Sequence, residues 1–130
     1  IGCIKTSKTA AELETTGLVL KLYRKRFGTI PVATEGTPLL DAQAAWTPDR
    51  KALTLAVVNA SGRAADVELA VSGAKLTGSG TRWEIAGDPM AYNEPGAPPR
   101  VSIEESPVSG VSDRLSLAPS SLTLFELKVE

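Results

Sequence analysis

The sequence predicts a mainly β protein, an antiparallel β-sandwich or jelly roll preceded by one α-helix, and three observations carry that reading. Residues 1–28 run as strand then helix, whereas residues 29–130 break into short alternating apolar and polar stretches punctuated by turns. About eight short strands with turns every eight to twelve residues are the pattern of a sandwich or jelly roll. The order of the two parts, helix-bearing first and strand-rich second, reads as the last piece of one domain followed by the whole of another. The chain opens on Ile1-Gly2-Cys3-Ile4, apolar and without a turn or cap before it, so a fragment of a longer protein is expected.

The helix has readable ends. Thr9 followed by Glu12 fits a capping box, in which hydroxyl and carboxylate each satisfy an orphan backbone donor. Gly28 supplies a left-handed stop. Between them Leu13, Thr16/Gly17, Leu20, Tyr23/Arg24 and Phe27 recur at helical spacing, and Leu18, Val19 and Leu22 widen the apolar face. Lys21, Arg24, Lys25 and Arg26 fall in the last two turns, where positive charge complements the helix dipole, and they read as a solvated helix end. A helix this apolar needs a large surface to lie against.

From Thr29 the period becomes that of strands. Residues 29–32 form a short one, with Pro31 marking an edge or a strand start. Residues 39–46 and 53–59 follow, separated by the turn Thr47-Pro48-Asp49-Arg50-Lys51. The turn Ala60-Ser61-Gly62-Arg63 leads into 66–72, where Val67, Leu69 and Val71 alternate with Glu68 and Ala70, and these stretches are expected to pair consecutively as antiparallel neighbours. Further strands are expected at 80–86, 100–104, 114–117 and 122–129, the last entered through Pro119-Ser120-Ser121. The irregular stretch 87–99 holds Pro89, Pro95, Pro98 and Pro99, and a loop of that length is either functional or pinned against something.

Composition excludes several classes. With 14 Lys+Arg against 15 Asp+Glu and no basic cluster beyond the helix end, no electrostatic footprint for nucleic acid is present. No apolar run approaches the roughly 20 residues of a membrane span, so neither nucleic acid nor membrane is an expected partner. The sequence contains no histidine, so a Ser-His or Cys-His nucleophile would have to be completed by another chain, and its one cysteine, Cys3, excludes an intrachain disulfide framework and a thiolate zinc site. No metal and no cofactor is implied. Gly78-Ser79-Gly80 precedes a strand and opens no helix, the wrong context for a phosphate cradle. Glu104 and Glu105 are adjacent, hence on opposite faces of an extended chain, which is wrong for a cooperating carboxylate pair. Trp46, Trp83 and Tyr92 are candidates for a sugar-stacking surface, with the core the plainer place for both tryptophans and Tyr92, in the long loop, the exception.

Several segments together carry a family resemblance. They are Ile1-Gly2-Cys3-Ile4-Lys5-Thr6, the helix Thr15 to Gly28 followed by Ile30-Pro31-Val32, the strand Leu55-Ala56-Val57-Val58-Asn59, the loop Ala86 to Pro95 containing Tyr92-Asn93-Glu94-Pro95 and followed by Val101, and Leu117-Ala118-Pro119-Ser120-Ser121-Leu122-Thr123-Leu124. The whole chain resembles the C-terminal part of family 51 glycoside hydrolases, the α-L-arabinofuranosidases. The resemblance implies that residues 1–28 are the final strand and helix of a (β/α)8 barrel completed elsewhere, and that residues 29–130 are the C-terminal β-sandwich domain. It implies a retaining enzyme with two catalytic glutamates, upstream of Ile1, whose carboxyls are about 5 to 5.5 Å apart. No catalytic, substrate-binding or metal-binding role therefore transfers to a residue of this chain, although Lys5 to Ser7 would lie near the barrel mouth, where capping of the following helix is the plainer role.

The partners implied are the remainder of the barrel, an arabinose-containing glycan bound by the parent enzyme, and further copies in a homo-oligomeric parent. An intracellular bacterial location is implied ahead of a secreted one. The family's sandwich is similarly described as taking a strand from the protein's N-terminus, so an unpaired edge and an exposed apolar patch are expected of this chain, which should not be stable and monomeric alone. The alternatives are the sandwich appendage of another barrel glycosidase, such as a xylosidase or glucuronoxylanase relative, and a free-standing carbohydrate-binding module, which would need Trp46 or Trp83 exposed in a flat row.

Overall fold

A computed structural model describes residues 2–110 and 113–130; Ile1, the first residue of the expected opening strand, lies outside them. Ten strands and one helix follow in order: β1 (Ile4–Thr6), β2 (Ala11–Leu13), α1 (Thr15–Arg26), β3 (Ile30–Val32), β4 (Asp41–Trp46), β5 (Ala52–Asn59), β6 (Ala65–Glu68), β7 (Leu76–Ala86), β8 (Glu104–Ser109), β9 (Arg114–Leu117) and β10 (Ser121–Val129). All strand pairs are antiparallel, in a six-stranded sheet of order β3-β4-β5-β10-β7-β8, a two-stranded sheet β6-β9 and the small hairpin β1-β2.

The large sheet is covered on both faces. Successive residues of a strand point to opposite sides, and each side has its own core. On one, Ala56, Trp83, Ile85, Leu122 and Leu124 pack with Leu18 and Leu22 of α1 and with Val101. On the other, Leu55, Val57, Phe125 and Leu127 pack with Leu115 and Leu117 of β9. Central strands buried on both sides have no polar face to alternate with, which is why β5 and β10 read as near-continuous apolar runs. Trp83 is 4% exposed and belongs to the helix-side core, as its place in a strand suggests.

Elements were legible, but several boundaries and partners differ. The helix begins at Thr15, not near Thr9, because 11–13 pair with β1 as a strand. Thr9 and Glu12 form no capping box: the Ser7 hydroxyl accepts the Thr9 and Ala10 N–H groups in the hairpin turn, and Glu12 accepts from the Leu13 N–H. The N-cap is Glu14, whose side chain makes no cap bond and is used elsewhere. Around the helix, Leu18 and Leu22 face the sheet while Leu20 lies 60% exposed, so the apolar stripe is centred one residue-step away from the expected one. Lys21, Arg24 and Lys25 are solvent-facing, as a solvated helix end requires, whereas Arg26, though exposed, lies over the Trp83 ring.

Gly28 is not a left-handed stop. The helix ends with Phe27 extended, and Gly28 passes so close under β4 that a Cβ would collide with the Trp46 carbonyl. Its N–H donates to Thr54 Oγ1 at 2.8 Å, and the Thr54 hydroxyl donates in turn to the Ala45 carbonyl. β6 does not pair with β5 as expected but crosses to the opposite layer, where it pairs with β9. The strand expected at 100–104 begins instead at Glu104, because the Arg100 and Val101 amides are taken by the Asn93 side chain rather than by a ladder. β8 continues through Pro107, which an edge strand tolerates. Gly78-Ser79-Gly80 lies inside β7, beside its irregular register with the end of β10.

Two substitutions test this packing. Leu124, fully buried against α1, should cost about 2–5 kcal/mol when replaced by alanine, read as a lower midpoint in urea unfolding. Gly17→Ala should lower the midpoint as well, although alanine normally stabilises a helix interior by about 1 kcal/mol, because a Cβ at Gly17 would strike the Cys3 carbonyl.

Candidate functional site

Helix α1 is held to the sheet by polar clamps at both ends. At its N-terminal end the loop 87–99 reaches over and inserts Asn93, 1% exposed, between the helix start and the segment leading to β8. The Asn93 side-chain amide donates to the Leu13 carbonyl at 3.2 Å and to the Val101 carbonyl at 2.8 Å. Its carbonyl oxygen accepts the N–H groups of Arg100 at 2.9 Å and Val101 at 3.0 Å. Its backbone N–H donates to Glu14 Oε1 at 2.7 Å, and the other Glu14 oxygen pairs with Lys5 Nζ at 3.2 Å.

The Asn93 N–H bond, ahead of the Lys5 charge, holds the Glu14 carboxyl below the ordinary value of 4.5, against a smaller opposing effect of desolvation. Tyr92, the neighbour of Asn93, stands 41% exposed with Lys5 Nζ 4.1 Å and the Arg100 guanidinium 5.2 Å from its ring centre. Gly2, Lys5, Glu14, Thr15, Thr16 and Tyr92 line an open cleft of about 350 Å³. A carboxylate, an ammonium, hydroxyls and an aromatic ring converge in it.

At the other end of the helix, Arg26 lies 4.6 Å from the Trp83 ring centre and 3.8 Å from the Glu105 carboxylate, which accepts the indole N–H at 2.7 Å. Glu104 and Glu105 do point to opposite faces, and neither pairs with the other: Glu104 accepts from the Ser102 hydroxyl. Glu105 is thus not merely a solvated charge but the acceptor that satisfies a buried tryptophan.

Of the expected site residues, the structure brings Lys5 into the cleft with Tyr92, while Ser7 closes the β1-β2 turn. Trp46 is half-buried, opposite Ile30 and Leu53 in the ladder, so no flat row of exposed tryptophans exists. Glu14 and Asn93 were missed as site residues. The Tyr92-Asn93-Glu94-Pro95 run flagged the loop, but nothing local in the sequence indicates that its amide reaches a helix 79 residues upstream. Among the described residues no group of three or more Cys, Asp or Glu is disposed to hold a metal, and Cys3 is a free, exposed thiol.

No family model matches this sequence, and no curated protein matches it. Solved structures do. The whole chain superposes on 22% of an arabinose-bound GH51 α-L-arabinofuranosidase with a TM-score of 0.89 at 15% identity. It is similar, over 98% of its length, to 31% of the α-L-arabinofuranosidase of Thermotoga maritima in complex with arabinose, with a TM-score of 0.81 at 23% identity. A xyloglucanase of glycoside hydrolase family 44 from Paenibacillus polymyxa matches 78% of the chain and 19% of its own, with a TM-score of 0.60 at 25% identity. The chain therefore has a fold that occurs within glycoside hydrolases, an antiparallel β-sandwich with a helix on one outer face. More particularly, it has the fold of one portion of the family 51 α-L-arabinofuranosidases, and it spans less than a third of the length of those chains.

Acid should weaken the N-terminal clamp. Because the folded-state pKa of Glu14 lies below its unfolded value, the unfolded chain binds more protons. The stability contributed by this carboxylate is complete above about pH 4.5 and is lost as pH falls through the lower folded value. In urea titrations between pH 7 and pH 3, Glu14→Gln should lose less stability than the parent protein; an identical acid limb in both would contradict the assignment.

Proposed function

We propose that this chain is the C-terminal portion of a retaining α-L-arabinofuranosidase of family 51. In this reading residues 1–28 supply the final strand and helix of a (β/α)8 barrel, and residues 29–130 form a sandwich packed against the barrel's outside. The observation that carries it is the match across the whole chain, helix and sandwich together, at a TM-score of 0.89. A free-standing sandwich would give no reason for the strand-helix piece to superpose with it.

The role of the chain is then architectural. Its helix closes the barrel, and the exposed Ile4 and Leu20 give it an apolar surface for the neighbouring barrel elements to cover. The two-stranded sheet β6-β9 is the thin layer of the sandwich, and among the described residues each of its strands pairs only with the other, which suits addition of a strand from elsewhere in the parent. The catalytic glutamates, the hydrolysis of terminal arabinofuranosyl groups and any self-association belong to the parent; this chain contributes none of the reacting groups. The buried Trp83 and half-buried Trp46 argue against a carbohydrate-binding module.

A second reading, the sandwich of another barrel glycosidase, is supported by the family 44 xyloglucanase match, which has the highest identity of the three. The full-length protein carrying this chain separates the two. It should hydrolyse 4-nitrophenyl α-L-arabinofuranoside with retention at the anomeric carbon, whereas the isolated chain should not. Hydrolysis of xyloglucan without any arabinofuranosidase activity would favour the second reading instead.

A further inference from the structure

The loop between β7 and β8 is anchored in an unusual way. Of residues 87–100 only Asn93 is buried; Ala91 and Pro95 are half-buried, and the remainder, including Met90 and Tyr92, face solvent. A segment of this length that buries so little apolar surface gains little from the hydrophobic effect. Its internal backbone bonds, Ala91 N–H to the Asp88 carbonyl and Ala97 N–H to the Glu94 carbonyl, form local turns and tie it to nothing else. What attaches it to the rest of the molecule is chiefly the set of bonds around Asn93, which reach Leu13 and Glu14 on one side and Val101 on the other, while the Arg100 N–H closes the strap on the same side chain. The contact of Lys5 with Tyr92 adds to these at the surface, where such interactions are weak, and the small Ala91 side chain packs against the helix-side core.

We propose that residues 87–100 form a strap, latched by Asn93, that holds the β1-β2 hairpin and the start of α1 on the sandwich and opens as a unit while the large sheet stays folded. The strap supplies Tyr92 as one wall of the cleft lined by Lys5, Glu14, Thr15 and Thr16, so its opening also unroofs that cleft. The latch works because one amide satisfies four backbone groups at once. When it leaves, the Leu13 and Val101 carbonyls and the Arg100 and Val101 N–H groups lose their partner together, so release is cooperative rather than gradual. The core beneath depends on it little: β5 and β10 are bonded to each other along their length, and of the strap only Ala91 packs against the core, which is otherwise built by residues outside it.

Amide hydrogen exchange read by mass spectrometry tests the proposal. In Asn93→Ala, peptides covering 4–16 and 87–101 should exchange about tenfold faster or more, with those from β5 and β10 unchanged. Equal acceleration throughout would make Asn93 an ordinary core residue, and unchanged exchange in the strap would show that other contacts hold it; either overturns the latch. Because the variant could fail to fold, the same measurement on the unaltered protein at sub-denaturing urea is the second arm. Residues 87–101 and the hairpin should open together, at lower urea than β5 and β10 and with a smaller urea dependence. A single opening shared with the central strands would overturn the proposal. Both arms read opening rather than hydrolysis, so they stand or fall independently of the enzymatic assignment.

Discussion

Everything in this fold depends on the pairing of β5 with β10. The two strands run antiparallel in unbroken register from Ser121 opposite Asn59 to Lys128 opposite Ala52. They sit at the centre of the six-stranded sheet, and their side chains are buried on both sides. A sheet centre with two apolar faces cannot be left half-covered in water, since each exposed aliphatic side chain forfeits about 1.5–3 kcal/mol of burial. Two covers are therefore obligatory. The chain builds one from a helix and the other from the thin β6-β9 pair, which explains why a stretch that reads as a run of consecutive hairpins leaves the main sheet after β5 and returns to it only at β7.

Two buried asparagines make those departures possible. Asn59 ends β5 and donates from its side chain to the Arg63 and Ala118 carbonyls at 2.8 Å each, while its oxygen accepts from the Ser61 N–H and hydroxyl. It thereby binds the crossing toward β6 to the turn that brings β9 back into β10. Asn93 does the equivalent on the helix side. Asparagine suits both places because one short, uncharged side chain carries two donors and an acceptor able to take two more bonds. Burial of such a group is tolerable only when all of that capacity is met, and both positions meet it.

This division also explains what the sequence revealed and what it hid. The strands of the main sheet were legible because burial leaves a compositional trace: 53–59 and 122–129 are dense in aliphatic residues, and Pro31 marked an edge strand correctly. The fold class followed from them. The capping box at Thr9 and Glu12 failed because a local motif lost to a hairpin: Ala11–Leu13 pair with Ile4–Thr6 as a strand, and the Thr9 N–H goes to the Ser7 hydroxyl in the turn. Gly28 was flagged as special for the wrong reason, since close approach to β4 and left-handed geometry leave the same letter in the sequence. Glu14 was hidden, and Tyr92-Asn93-Glu94-Pro95 pointed to the loop but not to the anchoring role of Asn93. Their partnership joins positions far apart in the chain through one backbone N–H, and no periodicity or spacing encodes such a bond.

The two halves of the molecule are thus stabilised by different physics. The sandwich rests on apolar area enclosed between layers, a contribution that is non-directional and insensitive to pH. The helix unit contributes Leu18 and Leu22 to that area but owes its placement to directional contacts at its ends: Asn93 and Glu14 at one, Arg26, Trp83 and Glu105 at the other, and Thr54 beneath Gly28. Its opposite face leaves Leu20 exposed, as Ile4 of β1 is, apolar surface open to a further layer. An element packed and clamped onto one body while its far side stays exposed is suited to a junction with a second. The apolar face alone would let the helix slide or rotate on the sheet, whereas clamps at both ends fix its angle, and a barrel built on its far side would inherit that angle from the sandwich.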